Sequence, residues 1–168
     1  MPRRSDDDEK PKKPQPGAYA KALGLLARRE QSAKELARKL DRGGYDADEA
    51  DAALERLKDQ SFQSDTRFAA SLARTRAAQG HGPRRILAEL RTHGLDDESA
   101  RTALADAGTD FTASARRQYQ RRYGGKPAPD REERARRAAF LLRRGFDAAT
   151  VRAITHAADV DDSADDFD

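Results

Sequence analysis

Three tripeptides of one pattern, Gly44-Tyr45-Asp46, Gly94-Leu95-Asp96 and Gly145-Phe146-Asp147, stand 50 and 51 residues apart. They constrain the fold more than any other feature of the chain. The flanks keep the same register: Leu40, Leu90 and Leu141 stand four residues before each glycine, Ala50, Ala100 and Val151 six after, and Ala53, Ala103 and Ile154 nine after. A period of about 50 residues with helical patterning marks a tandem array in which each unit buries an apolar face. The expected fold is all-α, an elongated array of three tandem three-helix repeats.

Composition agrees with several small cores rather than one large one, because only 36% of the 168 residues are hydrophobic while 38% are charged. With no Trp, ten Tyr and Phe together, and heavy use of Ala, Leu, Arg and Glu, the chain favours closely packed helices over sheet.

The units read as a disordered, proline-bearing arm over 1–16, a first repeat over 17–64, a second over 65–113, a basic third over 114–158 and an acidic, disordered tail over 159–168. In the first repeat Tyr19, Ala22, Leu23 and Leu26 form one stripe. Ser32 and Glu35 have the spacing of a capping box, Gly43-Gly44 ends the second helix, and Asp46 or Asp48 caps the third. Pro83 sits near the start of a helix bearing Ile86, Leu87 and Leu90. In the third repeat Arg137 occupies the register of Leu36 and Ile86, so this unit is expected to expose a charge where its siblings bury an aliphatic side chain.

Chemistry that needs a catalytic or metal centre finds no carrier. There is no cysteine, and His81, His93 and His156 form no ligand pair at helical spacing. Gly124-Gly125-Lys126 lacks the preceding glycine of a phosphate loop, and Pro127 stands where a Mg²⁺-binding hydroxyl would be. The acids Asp161, Asp162, Asp165, Asp166 and Asp168 lack the glycine turn and terminal Glu of a calcium loop. The chain is expected to be no enzyme, to need no cofactor, to have no membrane span and no secretion signal, and to reside in the cytoplasm.

Binding is the remaining reading, and charge locates it. Residues 17–64 and 65–113 are each neutral, whereas 114–158 carry 12 Lys/Arg against 4 Asp/Glu, and 159–168 carry six acids and no base. The third-repeat candidates are Arg116, Arg117, Arg121, Arg122, Lys126, Arg131, Arg134, Arg137, Arg143 and Arg144, with Arg136 among the same cations. Solvated helix faces ordinarily alternate sign, but the stretch from Arg116 to Lys126 contains no acid, a pattern that suits an external anion. Tyr119 and Tyr123 share a face, read as a core stripe with base stacking as the alternative.

Several stretches resemble the RecX family, bacterial modulators of the RecA recombinase. In the middle repeat these are Asp65-Thr66-Arg67-Phe68-Ala69, then Gly80-His81-Gly82-Pro83-Arg84-Arg85-Ile86 through Glu89-Leu90, and Gly94-Leu95; in the first, Leu25 through Leu36, Leu40 and Gly44-Tyr45. The resemblance spans roughly 17–158 and is weakest in the third repeat. Gln60-Ser61-Phe62-Gln63-Ser64 departs from the family's Gly-led pattern, which implies different packing where the first two repeats join, and the acidic end is outside the pattern.

What the resemblance implies is a three-repeat protein that lies in the helical groove of the RecA–single-stranded-DNA filament. There it modulates, mainly inhibits, recombinase ATPase, strand exchange and co-protease activity. The expected partners are that filament and, weakly and salt-sensitively, single-stranded DNA, with Arg67, Arg84, Arg85 and Arg91 extending the third repeat's contact and the protein acting as a monomer. Two other readings stay open: a helix-turn-helix-like DNA-binding protein built on Ser32 to Leu57, and an all-α interaction scaffold whose arginines only solubilise. The first is disfavoured by its acidic second helix, where Asp48, Glu49, Asp51 and Glu55 face one Arg56.

Overall fold

The computed structural model describes residues 15–157. The tail expected over 159–168 and all but the last two residues of the arm expected over 1–16 lie outside them. The described residues form helices in three successive triplets, with no strand among them. The first triplet is α1 (Ala18–Leu26), α2 (Ala33–Arg42) and α3 (Ala47–Asp59); the second is α4 (Asp65–Ala78), α5 (Pro83–Thr92) and α6 (Asp97–Asp106); the third is α7 (Phe111–Tyr123), α8 (Arg131–Arg143) and α9 (Ala148–Thr155). Helix α7 begins ahead of residue 114 because the Asp110 carboxylate accepts from the Ala113 amide and caps it.

The recurring tripeptide is one structural device used three times. Its glycine closes the second helix of each triplet in the left-handed region, with φ of +78° at Gly44, +88° at Gly94 and +89° at Gly145. The next residue's amide then reaches back to the leucine four before the glycine: Tyr45 to Leu40 at 3.2 Å, Leu95 to Leu90 at 3.4 Å, Phe146 to Leu141 at 3.2 Å. This is the Schellman closure, which wants an apolar side chain just after the glycine to pack back on the helix. The aspartate then caps the third helix, Asp46 accepting from Asp48 and Glu49, Asp96 from Ser99 and Asp147 from Thr150. One tripeptide thus ends a helix, plugs a core and starts a helix.

Each triplet has its own core. Leu40, Leu90 and Leu141 are fully buried at equivalent places, beside Ala50, Ala100 and Val151. A buried leucine of this kind contributes about 2–3 kcal/mol by removal from water, and the many core alanines let the helices approach closely. Ser32 caps α2 by accepting from the Glu35 amide at 3.0 Å. The other half of the expected capping box is not made: the Glu35 carboxylate is held by Arg29 and, at 2.8 Å, by Lys39. Burial would raise its pKa, yet the hydrogen bonds and charges of those two cations hold it below the usual range.

The second helices of the triplets meet end to end. At the lower joint, between the second and third triplets, the Gly82 and Arg84 amides at the start of α5 donate to the Arg144 and Gly145 carbonyls at the end of α8, at 2.7 and 3.0 Å. Helix ends leave amides and carbonyls unsatisfied, and here the two sets satisfy each other. At the upper joint, between the first and second triplets, His93 at the end of α5 meets Ser32 at the start of α2, with Nδ1 and Oγ 3.2 Å apart. Ser32 Oγ thus serves both its own helix, through the Glu35 amide, and the His93 ring of the next triplet.

Candidate nucleic-acid interface

The cations singled out by sequence fall into three groups. The first is the outer face of α7, where Arg116, Arg117 and Arg121 are exposed. Arg117 and Arg121 lie one turn apart on the same side. No ion pair involves any of the three among the described residues, and no acid stands on α7. Gly124, at φ +61°, ends the helix, and the exposed Lys126 follows it. The Gly124-Gly125-Lys126 segment is therefore a helix-ending turn.

The second group gathers at the lower joint, where the fold brings residues about 60 positions apart into one cationic edge. Arg85 Nη1 donates to the Arg143 carbonyl at 3.4 Å, and Arg144 Nη1 donates to the Gly80 and Gln79 carbonyls at 3.1 and 3.3 Å. Arg122 and Arg144 both stack over the Phe140 ring, at 4.7 and 5.4 Å from its centroid. His81 lies here too, and burial followed by the neighbouring Arg85, Arg76 and Arg144 pushes its pKa down.

The third group is committed elsewhere. Arg67 bonds to Glu30 at 2.8 Å and to the Phe62 carbonyl at 3.0 Å, tying α4 to the first triplet. Arg91 bonds to Asp97 at 2.6 Å across the Gly94 turn. Arg136 is paired with Glu132 and Glu133. Neither Arg84 nor Arg131 stands without a partner. Arg134 is half-buried on α8, away from the lower joint.

Arg137 overturns its expectation. Far from exposing charge, it is 6% exposed. Its Nε bonds to Glu133 at 2.8 Å, its Nη1 to the Tyr119 hydroxyl at 3.0 Å and the Lys126 carbonyl at 2.6 Å, and its guanidinium stacks on Tyr123 at 4.5 Å. Tyr119 and Tyr123 supply the ring surface and the acceptor that let a charge take a core position. The same contacts occupy both half-buried rings: Tyr119 packs against the third core, and Tyr123 stacks on Tyr119 and Phe140.

Sequence reasoning did not single out Arg76, Phe140 or His81 as parts of the interface region. Arg76 is held by Glu89 through two hydrogen bonds of 2.8 and 2.6 Å, and that pairing holds the Glu89 carboxyl below its usual range. The signal for His81 was its place between Gly80 and Gly82, residues that bring backbones close. Among the described residues no cluster of metal-ligating side chains occurs, and no helix is long and apolar enough to cross a membrane. A face of this kind can attract phosphates by charge and position them through arginine forks.

Comparison with known proteins supplies the identity of the scaffold. The three RecX three-helix domain models match in order: the first over residues 18–57, the second over 64–104 and the third over 109–155. The chain is 50% identical over 135 residues to Regulatory protein RecX of Xanthomonas axonopodis pv. citri (strain 306), covering 80% of this chain and 83% of that one. It is 44% identical over 135 residues to Regulatory protein RecX of Stenotrophomonas maltophilia (strain R551-3), with the same coverage of 80% and 83%. Among solved structures, RecX from Lactobacillus salivarius superposes with a TM-score of 0.67 at 25% identity, covering 83% of this chain and 92% of that one. A crystal structure of regulatory protein RecX superposes at 0.70 with 23% identity, over 83% of this chain and 70% of that one. With all three helical units matched in order, this chain belongs to the RecX family of regulatory proteins.

Proposed function

We propose that this chain is a non-enzymatic regulator that binds the RecA–single-stranded-DNA filament along its helical groove. There it modulates, mainly inhibits, recombinase ATPase, strand exchange and co-protease activity, and it works in the cytoplasm, where that filament forms. The observation that carries the residue-level part is the outer face of α7, where Arg116, Arg117 and Arg121 have no carboxylate partner among the described residues. Uncompensated like charges on one helix cost stability unless an external anion neutralises them. The filament offers such anions as DNA phosphates and acidic protein surface. The cationic edge at the lower joint, with Arg85, Arg122, Arg143 and Arg144, extends the contact from the third triplet to the second. Phe62 is the one large hydrophobic side chain strongly exposed among the described residues, which favours a monomer.

The test is the ATPase rate of RecA on single-stranded DNA as this protein is titrated in, with naked-DNA binding followed at the same salt. Inhibition at concentrations too low to coat the DNA is expected. Inhibition that tracks DNA saturation would make the protein a general DNA binder, and no effect at any concentration would sink the proposal. Reversing Arg117 and Arg121 to glutamate should weaken filament binding about tenfold or more, with the helical circular dichroism unchanged. Binding to naked single strands should fall with salt with a log–log slope of about −2 to −3, for three to four phosphates neutralised.

A further inference from the structure

The outer face of α7 carries three exposed arginines with no ion pair among the described residues, and the same chain contains their complement. Residues 158–168 carry Asp159, Asp161, Asp162, Asp165, Asp166 and Asp168 and not one Lys or Arg. Resting on the reading of α7 as the anion-binding face, we propose that this acidic segment docks on that face and competes with nucleic acid for it, as a built-in antagonist.

Three observations carry the assignment. The first is where the described chain ends. Ala157 is buried in the third core together with Ala115 of α7, so the acidic segment departs from the body of the triplet that bears the basic face. His156, in the left-handed region at φ +55°, turns the chain off the end of α9 there.

The second is reach. Eleven residues extend to at most about 36–40 Å, while the 13 residues of α7 span about 20 Å, so every arginine on the face is accessible without displacing a helix. The third is charge. Arg116, Arg117 and Arg121 find no acid within the described residues, and the segment carries six aspartates and no base, opposite in sign to that row of guanidinium groups. A tether turns this weak attraction into an intramolecular equilibrium with an effective concentration in the millimolar range. Single-stranded DNA displaces it when several phosphates bind at once, so the segment sets a threshold that favours a dense array of phosphates over scattered ones.

The test compares four full-length proteins. They are the unaltered chain, a chain with all six tail aspartates changed to asparagine, a chain with Arg117→Glu and Arg121→Glu, and the combination. Each is titrated against a labelled oligothymidylate by fluorescence anisotropy at low and at high salt. Neutralising the tail should tighten binding about three- to tenfold at low salt and by less than twofold at high salt, and the gain should vanish when Arg117 and Arg121 are reversed.

An unchanged affinity on tail neutralisation, with arginine reversal still weakening binding, would overturn the docked tail and leave the α7 face standing. A gain that persists after arginine reversal would overturn docking on α7 and assign the tail a general repulsion of DNA. No effect of arginine reversal in either background would overturn the face itself, and the tail proposal with it.

Discussion

The two joints of the array use different chemistry for the same task of holding helices end to end. The lower joint is made by backbone: α5 amides meet α8 carbonyls directly, and the helices approach so closely that a Cβ on Gly82 would lie 2.3 Å from the carbonyl of Gly145. The upper joint is made by side chains. Gln63 donates to the Gln31 carbonyl and to Asp65, Asp65 accepts from the Ala33 amide, and Arg67 holds Glu30. Beside it a cleft of about 470 Å³ opens between the triplets, lined by Arg29, Glu35, Phe68, Arg76, Glu89 and His93. Backbone contacts depend on glycines and tolerate no added atom, whereas side-chain latches can be remade one bond at a time. The upper joint is therefore expected to yield before the lower one, which ties α5 to α8 through backbone hydrogen bonds.

The largest way to break this contrast is Gly82→Ala. Its Cβ meets backbone atoms that cannot rotate away, so the joint should open at a cost of about 2–4 kcal/mol. Amide exchange should rise at Gly82 and Arg84 while the first triplet stays protected. Protection unchanged at those amides would show that the backbone joint is not what couples the units.

Gln63→Ala is the matching lesion above. The side chain is 3% exposed and bridges the two triplets, so its loss should cost about 1–3 kcal/mol, read by urea denaturation, with no change in exchange at the lower joint. Equal effects at both joints would erase the distinction.

Ser61→Gly should act in the other direction. Ser61 holds φ +59° and stands where the second triplet places Gly108, closing α3 while the Phe62 amide bonds back to Leu57 at 2.9 Å. Removing its Cβ should stabilise by about 0.5–1 kcal/mol. A melting temperature that does not rise would show that the turn is unstrained.

The smallest effect is pH dependence, and each joint has its own histidine. Burial lowers the pKa of His93 at the upper joint, and burial with the three neighbouring arginines lowers that of His81 at the lower one. A depressed folded pKa means that the unfolded chain takes up the proton first. Stability is therefore full above about pH 6.5 and falls as pH drops toward the folded value. At the upper joint Glu35 and Glu89 offset part of the burial penalty on His93, against Arg38 and Arg29; at the lower joint Arg85, Arg76 and Arg144 add to the burial penalty on His81, against Glu89 alone. His81→Gln should flatten the stability profile between about pH 7 and 5 more than His93→Gln does, and the reverse order would contradict the charge assignment.

Much of the fold was legible because its signals are local. The capping aspartates, the left-handed glycines and the leucines they close upon all lie within about ten residues of one another, so a 50-residue period exposes them together. The acid-free run from Arg116 to Lys126 was legible for the same reason, and the exposed arginines of α7 stand there. Arg67 and Arg91 could not be sorted in this way. The partner of Arg67 is Glu30, 37 residues distant, and the partner of Arg91 lies beyond a turn, so reading along one helix leaves both looking free. In the stretch from Gln60 to Ser64, Ser61 stands in a glycine's conformation and Gln63 is buried as a latch, a role its sequence neighbours do not announce.

Arg137 draws the line between the two kinds of information. By itself the sequence determined that a charge stands in a register where Leu36 and Ile86 are buried, and that three such registers repeat, because periodicity and capping follow from backbone geometry over a few turns. Only the tertiary structure decided that this charge goes inside, because burying a guanidinium requires Glu133, the Tyr119 hydroxyl, the Lys126 carbonyl and the Tyr123 ring to converge from three segments at once. The end-to-end joints are of the same kind. Satisfying the free amides of one helix with the free carbonyls of another depends on where whole units sit in space, and that is set by packing between residues far apart in the chain.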